Sequence, residues 1–192
     1  MFTKPKLLQQ KTDRGMAIGI SMGMMLCLFL TVLLMSQFML RRMVLSAAYL
    51  EDALACSNLA GAIIDIKEYG YSHEVVLQAP DEAYNAFLSA LKTNLNLDDQ
   101  MRSKGDVFIW NEIRVEEFIL YNVKGGQIEI ARFSPYGVER RVGYLGHTFA
   151  PNGQLVEKTG IYSEVSYQIR GYFGEMYQAR KGKLVDVVAE RS

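Results

Sequence analysis

The sequence predicts an α+β protein: a long N-terminal transmembrane helix continuing into an amphipathic half, then a short helix and an antiparallel β-sheet. Three observations carry this. Residues 15–40 run GMAIGISMGMMLCLFLTVLLMSQFML without one charged side chain. Residues 41–69 then hold no proline and a single glycine, with polar and apolar positions recurring at helical spacing. Beyond residue 105, branched and aromatic residues gather in short runs separated by turn formers.

The apolar run comes first. A hydrocarbon core needs about 20 apolar residues to cross, and no other segment of the chain approaches that length. A cleaved secretory signal has an apolar core of roughly 7–15 residues followed closely by a small-residue site. This run is longer and ends in Arg41-Arg42; the triplet Ala53-Leu54-Ala55 lies well past its edge, beyond Glu51 and Asp52. The same triplet before Cys56 has Ala53 where a lipoprotein site carries leucine. A retained anchor is expected. Lys4, Lys6, Lys11 and Arg14 precede it and Arg41 and Arg42 follow it. The excess of basic residues on the N-terminal side predicts a cytoplasmic N-terminus and an extracytoplasmic C-terminal domain in the cell membrane. The expected organisation is a basic leader at 1–14, a transmembrane helix at 15–40, an amphipathic extension at 41–70 and an α+β domain at 71–192.

After the span, Glu51, Asn58 and Asp65 recur every seven residues as one polar line, while Leu45, Leu59, Ile63 and Ile66, with Leu50, Leu54 and Ile64 beside them, suggest a buried stripe. Unbroken from 16 to 69, this helix would be roughly 80 Å long. Small residues are dense along it, and Ala48, Ala55, Cys56, Ala60 and Gly61 form a candidate close-packing face. Its partner is either the chain's own sheet or a neighbouring helix. Glu74–Leu77 suits a strand. Pro80 and Asp81 open a second helix, with Asp81 as its cap and Tyr84, Phe87, Leu88, Leu91 and Leu95 on one buried face. Strands are expected at 107–110 and 113–123, with Lys124-Gly125-Gly126 turning the chain into a partner at 127–133. Further strands are expected at 138–144, 161–170, 172–179 and 184–188, and Pro151-Asn152-Gly153 marks a turn.

Charge and composition narrow the function classes. Net charge is zero, but residues 1–42 are basic and the remainder is acidic. An acidic domain with only Arg140-Arg141 and Arg180-Lys181 as basic pairs does not suit a nucleic-acid partner. The two cysteines, Cys27 within the apolar run and Cys56 beyond it, cannot staple the domain; Cys56 is expected to serve as a small packing residue. Neither His73 nor His147 stands in a metal-ligand spacing, and no P-loop, GxSxG or GxGxxG occurs. His147, in GYLGHTFAPNG, is expected to form a turn. Glu116 and Glu117, adjacent on a strand, should point to opposite faces and make no acid–base pair. Asp98, Asp99 and Asp106 are the one set of carboxylates that could be imagined as an oxygen-ligand calcium site, although EF-hand spacing is absent. No catalysis, cofactor or small-molecule substrate is expected.

The leader MFTKPKLLQQKTDRG, ending in Gly15 directly before the apolar run, resembles the leader that prepilin peptidases remove from type IV pilins and pseudopilins. The resemblance implies cleavage between Gly15 and Met16. It departs at the fifth residue after the cut, where that family has glutamate and this chain has Ile20; some minor, tip-type pseudopilins also lack it. The outline is similar to TadE-like minor components of tight-adherence systems. SNLAGAIIDIKEYG, AYNAFLSALKTNLNLDD and FILYNV resemble single-pass proteins of clostridia-like bacteria associated with such pilus clusters. This implies a membrane-held, non-enzymatic subunit whose partners are the membrane and other pilus or secretion-system subunits, or further copies of itself. The alternative is a single-pass extracytoplasmic sensor or accessory domain that binds a ligand or protein partner through its sheet and loops.

Overall fold

The computed structural model describes residues 6–105, 110–134, 137–170 and 174–187. The elements in chain order are α1 (Lys6–Gly61), α2 (Ile66–Ser72), α3 (Pro80–Asn94), β1 (Trp110–Lys124), β2 (Gln127–Ser134), β3 (Gly137–Tyr144), β4 (Gly160–Arg170) and β5 (Met176–Asp186). The α+β class and the helix-then-sheet order are as expected. The chain divides into two compact units, Met1–Met43 and Val44–Ser192. The first is helical throughout its described residues, and Met16, Met22, Met25, Leu28 and Phe38 are all exposed along it.

The second unit is built on a five-stranded antiparallel sheet in the order β3-β2-β1-β4-β5. Gly125 and Gly126, at φ +52° and +85°, close the β1–β2 hairpin as a two-residue turn. Positive φ at both positions matches the twist of the strands, and glycine adopts it without a Cβ penalty. The connection from β3 to β4 crosses to the far side of β1, leaving β2, β1 and β4 interior and β3 and β5 at the edges. β4, between β1 and β5, is buried at almost every position.

One face of the sheet carries helices. Phe87 and Leu91 of α3 are fully buried there, with Phe87 centred 4.9 Å from Phe118 and Tyr84 stacked on Phe133 at 4.0 Å. Leu50 and Leu54 of α1 are also fully buried. The opposite face is covered by the β3–β4 crossover, whose Ala150 and Val156 pack with Ile119, Tyr121, Ile128, Tyr162 and Leu184.

Several expectations are corrected. The helix expected to reach residue 70 stops at Gly61. A Cβ there would lie 2.9 Å from the carbonyl oxygen of Ala83, so α3 approaches as only glycine allows. Asp65 then accepts from the backbone N–H groups of Lys67 and Glu68 and caps the separate short helix α2. The polar line is reversed in sense: Asn58 is fully buried and Glu51 faces β5, while Leu45, Leu59 and Ile66 are exposed. Residues 74–77 make one bridge, Ile64 with Leu77, and no strand, because both edges of β1 are already taken. The segment instead lies over side chains. Asn122 accepts from Leu77 N–H and donates to its carbonyl, and Thr159 donates to the Val75 carbonyl. Helix α3 is capped at Ala79, whose φ is +41°, without a side-chain bond; Asp81 sits within the first turn, where its charge favours the helix dipole. The strands expected at 172–179 and 184–188 are one strand, β5, carried through Gly182. Residues 107–109, Tyr136, Tyr172, Phe173 and Val188 lie outside the described residues.

Candidate functional site

The apolar segment is one helix long and apolar enough to cross a membrane. Two of its hydroxyl groups are satisfied within the helix: the Ser21 hydroxyl donates to the Ile18 carbonyl at 2.9 Å, and Thr31 donates to the Cys27 carbonyl at 2.8 Å. Hydrocarbon offers no hydrogen-bond partner, so this local satisfaction suits a lipid environment. Met16, directly after Gly15, and Ile20, where the pilin-like resemblance departs, are exposed, and Gly15 lies within α1.

The C-terminal part of α1 has two different sides. Toward the sheet, Asn58 donates to the carbonyls of Ile161 (3.3 Å) and Lys183 (3.0 Å), and the Glu51 carboxylate takes Lys181 on one oxygen and Lys183 on the other, each at 2.7 Å. These two lysines hold the Glu51 carboxyl well below its ordinary range, from 4.5 to about 2. Away from the sheet, Ala48, Cys56 and Ala60 are exposed beside Leu45 and Leu59. The five small residues are thereby divided: Gly61 is used inside the domain against α3, Ala55 is half-buried, and Ala48, Cys56 and Ala60 are free at the surface. Cys56 is therefore not packed in the core.

A cleft of about 490 Å³ opens between residues 76–80 and the β2–β3 hairpin. Asn122, Glu129 and Ala131 line it with Gln78, Arg140 and Val142, so it presents both charge signs beside apolar surface. Sequence reading missed it, because no local pattern shows that the 74–80 segment lies across β1. The nearest signal was Arg140-Arg141 on a short strand.

The catalytic residue types are engaged elsewhere. Asp98 accepts from the backbone N–H groups of Gln100 and Arg102, which makes it a turn former; Asp99 stands exposed 3.6 Å from Lys92, and Asp106 lies outside the described residues. His73 terminates α2 with φ +57°, and His147 sits exposed in the turn after β3, its N–H bonded to the Tyr144 carbonyl. Glu117 forms a two-bond pair with Arg132, while Glu116 accepts from Ser166 at 2.5 Å. A bulge between Val115 and Glu117 interrupts the strict alternation expected of these neighbours. Tyr162 donates to Glu164 at 2.7 Å, and burial together with that carboxylate pushes its hydroxyl upward. Among the described residues, no three metal-ligating side chains come together.

The fold and these surfaces define a chain with, among the described residues, a single candidate membrane span and an α+β domain. Comparison with protein-family models, curated proteins and solved structures gives no match.

Proposed function

We propose that the chain is a membrane-anchored, non-enzymatic subunit of a surface pilus or secretion apparatus, of minor pilin or pseudopilin type, with its N-terminus cytoplasmic and its domain extracytoplasmic. The observation that carries this is the division of α1: one side is fixed to the sheet by Glu51 and Asn58, and the other leaves Ala48, Cys56 and Ala60 exposed beside Leu45 and Leu59. Small exposed residues let a second helix approach closely. The basic leader ending in Gly15 supports the same reading.

Co-expression with a prepilin peptidase tests it. Mass spectrometry should find the mature chain beginning at Met16, and a chain that keeps Met1–Gly15 under conditions that process a control prepilin overturns the pilin-type assignment.

The cleft beside Arg140 favours a second reading, an extracytoplasmic accessory domain that binds a partner or ligand. In that case processing is absent and substitutions lining the cleft, not those on α1, abolish partner capture.

A further inference from the structure

The sheet has two edges, and they differ. β5 carries Arg180, Lys181 and Lys183 within four positions and no acidic residue before Asp186. Two such edges repel each other, a common protection against edge pairing. β3 reads GVERRVGY and holds neither lysine nor proline. It is exposed along nearly its whole length, with Val142 63% and Tyr144 61% accessible.

The hydrogen-bond phase of β3 is fixed by its hairpin. Leu145 N–H donates to the Gly126 carbonyl at 3.0 Å, and the register pairs Arg132 with Glu139 and Ile130 with Arg141. In an antiparallel ladder, bonded pairs alternate with unbonded ones. Glu139 and Arg141 therefore direct their backbone groups toward β2, and Val138, Arg140 and Val142 direct theirs outward. Among the described residues, no hydrogen bond reaches the outward groups of these three.

We propose that β3 pairs antiparallel with β3 of a second copy, about a two-fold axis at Arg140, joining two five-stranded sheets into one of ten. Around that axis the sequence complements itself. Arg140 meets its own copy as a bonded pair, Val138 meets Val142, and Glu139 meets Arg141 twice, as unbonded pairs whose side chains approach most closely. Within one chain Glu139 and Arg141 already meet at 2.6 Å, but both are exposed, so the guanidinium is free to exchange partners. The two Arg140 side chains share one face with Glu129. Glu129 lies one pair away on β2, opposite Val142, and has no ion pair among the described residues. It is placed to neutralise the arginine at the axis. The register thus satisfies the backbone groups and the charges together, which self-pairing of β5 does not.

The test uses the full chain in lipid nanodiscs loaded with one copy each, so that association between discs reports on the domain. With Cys27 and Cys56 replaced by alanine, Arg140→Cys should form a disulfide-linked dimer on mild oxidation, and Arg180→Cys on β5 should not. Arg141→Glu alone and Glu139→Arg alone should each weaken association at least tenfold. An equimolar mixture of these two chains should restore it, because each supplies the charge the other lacks, although the pair within each chain is lost. All of these positions are exposed, so folding is not at stake. Equal cross-linking from β5, or a mixture that associates no better than either variant alone, overturns the proposal. Loss of disc association without any response to the charge exchange also overturns it, and points to a partner of a different kind at this edge.

Discussion

Asn58 donates from Nδ2 to the backbone carbonyl of Lys183 at 3.0 Å, while the ammonium of the same lysine reaches Glu51, seven residues earlier on α1. Helix and strand are thereby joined twice, once through backbone and once through charge. Asn58 also holds the Ile161 carbonyl, so a single amide spans β4 and β5.

Because its folded-state value lies below its ordinary one, the Glu51 carboxylate contributes stability that is fully present above about pH 4.5 and fades as pH falls toward about 2. Glu51→Gln should lower stability by about 1 kcal/mol at neutral pH, since the site is partly exposed and water screens it. Chemical denaturation of the full chain in non-ionic detergent, followed by the aromatic signal, should show the variant and the parent converging as pH is lowered through that window.

Asn58→Ala removes both amide bonds from a site with no exposure. Leaving buried carbonyls without this donor costs about 1–3 kcal/mol, and the unfolding midpoint should fall accordingly. Asn58→Asp should be worse, because it places a charge there instead of a donor.

Gly61→Ala puts a methyl group 2.9 Å from the Ala83 carbonyl oxygen and 3.3 Å from Phe87 Cβ. Overpacking of this kind costs about 1–3 kcal/mol. Ala48→Leu, earlier on α1, and Ala60→Leu, next to Gly61 in the chain but on the exposed side, should each change stability by less than about 0.5 kcal/mol. If the proposed helix-to-helix assembly is correct, these two lower complex formation, measured by co-purification, while the fold is retained.

Phe87→Ala empties the centre of the α3 interface, where the ring meets Phe118 and Tyr84. A loss of about 3–5 kcal/mol is expected, and amide exchange in β1 should accelerate.

By itself the sequence determined what depends on neighbours in the chain. Twenty-six uncharged residues make a segment long and apolar enough to cross a membrane, and Gly125-Gly126 fixes a hairpin through positive φ. The heptad of Glu51, Asn58 and Asp65 was equally visible, but its direction was not. Seven-residue spacing places side chains on one face of a helix without saying whether water or a strand meets that face, and Lys181 and Lys183 lie more than 120 residues away. Only the tertiary structure decided that polar residues turn inward at α1 while Leu45 and Leu59 turn out. It alone placed residues 74–80 across β1 and opened the cleft beside Arg140, because long-range pairing depends on which strand edges are already occupied.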